Sequence, residues 1–227
     1  MGSDNDNFHQ KRKAKKVSDL KRKGPTRNRI AKVLIVTEGS KTEPFYFTEL
    51  KDFYEIDTAN ITISGECGSD PMSVISHGKK LYLDEINDDK EAFDRVFCVF
   101  DRDAHPNYAN AIAHISTIKP SGVFTAITST PCFEVWLILH FIYISKPFTA
   151  SGGKSAGNKV LKELKKYWPK YEKGILGSFS HVNKDIGRAK KFAKKLFDES
   201  KRNGSINPLT DIHELVDFLE NIKTTKL

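Results

Sequence analysis

Residues 96–105 read VFCVFDRDAH, a run of large apolar side chains that stops on Asp101, Arg102 and Asp103. Successive side chains of a strand point to opposite faces, so the two aspartates of such a strand end emerge together and Arg102 points away. Neighbouring carboxylates repel and raise each other's pKa unless a cation, a shared proton or good solvation compensates. A hard divalent cation is the commonest compensation, because Mg²⁺ takes oxygen ligands, borrows one or two protein carboxylates and leaves positions open for phosphate. A solvated turn is the competing reading, since Asp is frequent after strands. The D-x-D pair alone leaves both open.

Working outward, short β-branched runs alternate with longer segments of helical spacing, the pattern of an α/β domain with a mainly parallel sheet flanked by helices. Strands are predicted at 30–36, 60–64, 95–100 and 123–129, and crossover helices at 42–54, 71–86 and 107–118. Asp70 before Pro71 is a start signal for the second helix, and Pro131 opens a helix over 131–143. From Lys146 onward no convincing strand is visible, and helical patterns near 157–173, 182–200 and 210–223 suggest a C-terminal helical lobe. The organisation expected is a basic, disordered arm over 1–29, an α/β domain over 30–145 and a basic helical lobe over 146–227.

Charge divides along the same lines. Eleven basic residues face three acidic ones up to Lys32, eight face seventeen over 33–145, and eighteen face nine thereafter, giving net charges of +8, −9 and +9. An acidic centre between basic flanks suits a metal-assisted enzyme acting on a polyanion, although basic tails also serve solubility. Lys184, Arg188, Lys191 and Lys195 lie along one face of the 182–200 helix and could track a phosphate backbone; a solvated outer face explains them equally.

No apolar stretch approaches the roughly 20 residues that span a bilayer, and the start lacks the apolar core of a secretory signal, so a cytoplasmic protein with no membrane partner is expected. Cys67, Cys98 and Cys132 are widely spaced and read as reduced and structural, and neither they nor His181 and His213 have zinc spacing. The segment SGGKSAGNK at 151–159 imitates a phosphate-binding loop, but Phe148 stands where the earlier glycine belongs and no strand precedes it.

Ligands of an open parallel sheet bind at the carboxyl ends of its strands. Glu38 follows the first predicted strand and the aspartates follow the third, so the three acids converge if those strands are neighbours. Glu134, in the first turn of the helix after the fourth strand, can reach the same edge or can simply stabilise the helix start. Glu43 fits that second role better, and His140 reads as a packed core histidine.

Glu38-Gly39, Thr42-Glu43-Pro44, Asp101-Arg102-Asp103-x-His105 and Pro131-Cys132-Phe133-Glu134-x-Trp136-Leu137-x-Leu139-His140-Phe141 together resemble the RloB-like family, and the resemblance extends to Asn207-Pro208-x-Thr210. That family looks like a branch of the TOPRIM superfamily, marked by a Glu after the first strand and a D-x-D after the third. Thr130 departs from it, standing where Asn commonly precedes the proline. The resemblance implies a TOPRIM-like (Rossmann-like) fold and a Mg²⁺- or Mn²⁺-dependent nuclease of prokaryotic anti-phage defence, often beside an ATPase partner. It implies Glu38, Asp101 and Asp103 as catalytic and metal-binding acids, with Glu134 as a further ligand. Lys41, Thr42, Arg102 and His105 are the nearby candidates for substrate contacts, on DNA or RNA. The alternative is a non-catalytic module that binds nucleic acid or docks on an ATPase.

Overall fold

A computed structural model describes residues 29–65, 67–68, 70–102 and 105–224. The expected arm, up to residue 28, and Asp103 lie outside the described residues. The elements run β1 (Val33–Thr37), α1 (Thr42–Phe53), β2 (Ile61–Ser64), α2 (Pro71–Asn87), β3 (Arg95–Asp101), α3 (Tyr108–Ile115) and β4 (Phe124–Thr130). They continue with α4 (Glu134–Leu139), α5 (Ala156–Tyr167), α6 (Ser178–Val182), α7 (Ile186–Asn203), β5 (Leu209–Thr210) and α8 (Ile212–Glu220).

The sheet order is β2-β1-β3-β4-β5. The first four strands are parallel and β5 is antiparallel to β4. All five residues of β1 are buried, as are Val96 to Phe100 of β3, which explains why these strands read as continuous apolar runs rather than alternating ones. Alternation appears instead in what each side chain touches. Val33, Ile35, Phe97, Val99 and Ile127 join a core with α1, α4, α5, α7 and α8, while Leu34, Val36, Val96, Cys98 and Phe100 join a second core under α2 and α3. Asp101 continues the Phe97–Val99 period and therefore belongs to the α1–α4 side.

From Ile30 onward the described chain is one unit, and the first core runs without interruption through residues on both sides of position 145. The later segment also contributes a strand that the sequence did not announce. Leu209 and Thr210 pair with Thr130 and Ser129, and the Ser129 and Thr210 hydroxyls share a hydrogen bond of 2.9 Å.

Helix boundaries follow local chemistry. Asp70 caps α2, its carboxylate accepting the Met72 N–H at 2.9 Å with Pro71 in the first turn. The helix expected over 157–173 stops at Tyr167, because Pro169 disfavours a helical backbone at Trp168, which adopts φ −131° and ψ 79°. The helix expected over 182–200 is largely α7, which starts late because one 3₁₀ turn at Asn183–Asp185 separates it from α6. The one expected over 131–143 is only the six buried residues of α4. Arg188 of α7 donates to the carbonyls of His140 (3.0 Å) and Phe141 (3.5 Å) just past the end of α4. Those bonds satisfy backbone acceptors that a longer helix would have used.

Candidate active site

Sheet order reverses between β1 and β3, since β1 leads outward to β2 and β3 leads outward to β4. This is the position at which an open α/β sheet forms its ligand crevice. Glu38 leaves β1 there, its N–H continuing the ladder to Val99 O at 3.1 Å. Its Oε2 accepts the Asp101 N–H at 3.0 Å, so the end of one strand is tied to the carboxylate after the other. Its Oε1 lies 3.7 Å from His105 Nε2.

The turn from Glu38 to Lys41 is wedged against the end of β2. A Cβ added to Gly65 would lie 2.3 Å from Gly39 O and 2.9 Å from Ser40 Cα, so only glycine permits this approach. Thr37 Oγ1 donates to Gly39 O at 2.8 Å and closes the turn.

Four carboxylates line the resulting crevice of about 230 Å³, namely Glu38, Glu43, Asp101 and Glu134, together with Lys41, Thr42 and Lys173. Glu134 is the first residue of α4 and is only 1% exposed. Its Oε1 accepts from the Tyr171 hydroxyl at 3.2 Å and lies 3.5 Å from Lys173 Nζ. Its Oε2 is buried and makes no hydrogen bond to any described residue. A buried carboxylate oxygen without a donor is costly unless a cation or a further donor approaches it.

The electrostatics agree. Burial foremost, then repulsion from Glu43, Glu134 and Glu38, holds the Asp101 carboxyl well above the ordinary range, with Lys173 pulling the other way. Glu43 is raised to about 7, again chiefly by burial and then by Glu134 and Glu38, against its own N–H and Lys173. The Cys132 thiol is pushed up by burial, Glu134 and Asp101 and offers a weak donor at best. Burial opposes the Lys173 charge, yet attraction from Glu134 and Asp101 outweighs it and raises its pKa. With all four carboxylates ionised, the crevice would hold more negative charge than Lys41 and Lys173 neutralise, which is why Asp101 and Glu43 resist ionisation.

Among the described residues no three His, Cys, Asp or Glu side chains form a ready-made metal cage. The donor set still fits a hard cation, which wants carboxylate oxygens and relieves their repulsion. The orphaned Glu134 oxygen is the observation that carries this fit.

Of the residues expected from sequence, Glu38, Asp101, Glu134, Lys41 and Thr42 line one crevice, and His105 touches it through Glu38. Thr42 Oγ1 also accepts the Gly174 N–H at 2.9 Å, which docks the 168–177 segment on α1. Arg102 instead lies over the Tyr108 ring, 5.0 Å from its centroid, in a separate cleft with Thr128 and Asp211. Lys184, Arg188, Lys191 and Lys195 do not line the crevice. Arg188 sits at the opposite end of α4 from Glu134, about 9 Å along the axis at 1.5 Å per residue, and also pairs with Asp185 at 2.8 Å.

Glu43, Tyr171 and Lys173 join the site unexpectedly. The place of Glu43 in the first turn of α1 allows both the helix-start role expected for it and the crevice role, and only the folded turn reveals the second; a Cβ on Gly39 would come 3.2 Å from Glu43 Oε2. Tyr171 and Lys173 lie in the irregular segment beyond α5, where helical spacing carries no information. His140 is a core histidine as expected, with Nδ1 3.0 Å from Trp136 O and its pKa lowered to about 4 by burial.

The fold and crevice together define an α/β protein with a carboxylate-rich site at the switch point of a mainly parallel sheet. A family model described as RloB-like protein matches residues 33–219, most of the chain, and the protein belongs to the RloB-like family. No curated protein and no solved structure matches this chain. Among the described residues no helix is long and apolar enough to cross a membrane.

Proposed function

We propose that this chain is a TOPRIM-type nuclease that cleaves phosphodiester bonds with Mg²⁺ or Mn²⁺. The single observation that carries the reading is the convergence of Glu38 and Asp101 across the β1–β3 switch point, in a crevice also lined by Glu134, whose Oε2 is buried without a donor. An acid after β1 beside an acid ending β3 is the arrangement expected of a TOPRIM-like fold. Membership of the RloB-like family adds the proposal of a role in prokaryotic anti-phage defence beside an ATPase partner.

Asp101 and Glu134 would hold the metal, with Glu38 and Asp103 as further ligands. Bound there, a divalent ion supplies charge stabilisation at the phosphate and a more acidic water. The protein's own groups divide the remaining work. Glu38 fixes the strand ends through the Asp101 N–H. Glu43, with its carboxyl raised to about 7, is suited to take a proton from an attacking water near neutral pH. The Lys173 ammonium, 56% exposed on its side chain, can meet a phosphate oxygen at the mouth. Lys41, at the N-cap of α1, offers a second such charge.

The test is incubation of single- and double-stranded DNA and RNA with Mg²⁺ or Mn²⁺, comparing the wild type with Asp101→Ala/Asp103→Ala. Cleavage by the wild type alone is expected. Equal products from both proteins would remove the catalytic assignment. Binding without turnover by the wild type would favour a non-catalytic nucleic-acid-binding or ATPase-docking module.

A further inference from the structure

A concentration of positive charge lies between the loop after α4 and helix α5. A cleft of about 440 Å³ there is lined by Lys146, Lys154, Lys159, Lys162 and Lys166, over a floor that includes Ile144 and Phe148. Its one carboxylate, Glu163, is already paired with Lys166 at 2.6 Å. On α7 three of the basic residues, Arg188, Lys190 and Lys195, are engaged within the protein. Lys190 is held by Asp217 (2.6 Å) and Glu220 (2.5 Å), Arg188 by Asp185, and Lys195 lies over the Tyr143 ring.

The cleft has a defined frame. Ser151 and Lys154 exchange backbone hydrogen bonds of 3.1 and 3.3 Å around Gly152 and Gly153, at φ 61° and 71°. Two consecutive positive φ values mark a two-residue hairpin turn, which accounts for the SGGK stretch and presents Lys154 on one wall. Ser155 caps α5 through the Asn158 N–H at 3.2 Å, and Lys159 Nζ donates to Ser151 Oγ, joining hairpin to helix. Lys159, Lys162 and Lys166 occupy one face of α5 at i, i+3 and i+7 spacing. They span about 10 Å at 1.5 Å per residue, the rise of roughly three phosphates of one strand.

Both walls are anchored beside the acidic crevice. Asn207 clamps Phe148 through its N–H (3.1 Å) and carbonyl (2.8 Å), two residues before β5 pairs with the end of β4. At the other wall, a Cβ on Gly157 would lie 3.9 Å from Cys132 Sγ, and Cys132 is two residues before Glu134.

We propose that this cleft seats the phosphodiester backbone of a nucleic-acid strand and leads it to the crevice. The inference rests on the nuclease reading for its choice of ligand. Five ammonium groups sharing one paired carboxylate complement a chain of evenly spaced monoanions, and phosphate contacts of this kind position a strand without reading its sequence.

The experiment is fluorescence anisotropy of the full chain with labelled single-stranded DNA and RNA, in EDTA, over a range of salt concentrations. Lys154→Glu/Lys162→Glu should weaken binding by at least about tenfold and lower the salt slope by about 1.4, at roughly 0.7 per lost contact. Lys154→Gln/Lys162→Gln should give a smaller loss in the same direction. Lys184→Glu/Lys191→Glu, in the 3₁₀ turn before α7 and on α7, should change affinity less than about twofold. All these lysines are exposed or half-buried, and matching thermal melts establish that each variant is folded. Equal losses from the Lys154/Lys162 and Lys184/Lys191 pairs, or no loss from the Lys154/Lys162 pair, would overturn the proposal. So would competition by ATP as effective as unlabelled strand at equal phosphate concentration, which would make the cleft a mononucleotide site. EDTA separates the two readings: tight, cleft-dependent binding with no cleavage on adding metal would uphold the cleft and sink the nuclease.

Discussion

At the switch point the chain draws Glu38, Glu43, Asp101 and Glu134 into one small crevice, where desolvation raises Asp101 and Glu43 and leaves a Glu134 oxygen without a donor. Along α5 and the loop before it, a like-charged group of lysines stands mostly in water. The same repulsion has different consequences in the two places. Exposed charges are screened and their pairings are worth about 1 kcal/mol or less, so the lysine cleft is tolerated without a ligand. Buried carboxylates have no such relief and need a proton or a cation. On the proposed function, the crevice is where binding would change protonation and the cleft is where it would be salt-dependent.

The largest effect expected is at the crevice. Asp101→Ala should lower metal-dependent cleavage by at least about 100-fold, because the metal carries most of the charge stabilisation. Its metal-free melting temperature should not fall, since a repelling carboxylate is removed. A large fall in melting temperature with metal-dependent cleavage intact would place Asp101 on the structural side of the contrast.

Gly65→Ala is expected next, at about 1–3 kcal/mol of lost stability, because the added methyl group meets the Gly39 carbonyl and Ser40 Cα rather than a yielding side chain. It should also reduce cleavage by shifting the turn that carries Glu38. Denaturant unfolding and activity, measured together, check both parts.

Glu43 allows the protonation argument to be isolated. Its folded-state carboxyl is raised to about 7 from 4.5, so the folded chain holds a proton that the unfolded chain has lost over that interval. Its contribution to stability is full below about 4.5 and is lost as pH rises through about 7. Glu43→Gln should therefore raise the metal-free melting temperature by a few degrees at pH 8 and change it little at pH 5. An offset that is the same at both values would remove Glu43 as a titrating member of the crevice. The smallest effect belongs to the exposed surface: Lys184→Ala should alter stability by less than about 0.5 kcal/mol, read from chemical denaturation.

The sheet was largely legible in the sequence because β1, β3 and β4 are mostly buried runs and β2 is rich in β-branched residues. The Asp70 cap was legible for the same reason, being local. What failed was information held by tertiary contacts. Two residues, Leu209 and Thr210, are too few to show a period, so β5 was invisible until its pairing with β4 defined it. Tyr171 and Lys173 were hidden inside an expected helix that Pro169 ends early. Glu43 was seen but read only through its helix position, because its second neighbour, Gly39, becomes adjacent only when the turn folds. Over the expected 182–200 helix, periodicity grouped Arg188 with Lys184, Lys191 and Lys195, yet its guanidinium is bound to the carbonyls after α4. A helical face can be read from spacing; what that face meets cannot.

The most direct measurement of the central claim is the anomalous signal from a crystal of the wild-type chain grown with Mn²⁺. The account predicts an ion in the crevice at about 2 Å from oxygens of Asp101 and Glu134, with Glu38 or Asp103 completing the protein ligands. A crevice without anomalous density at millimolar Mn²⁺, with Lys173 closed over Glu134 and Asp101, would contradict it.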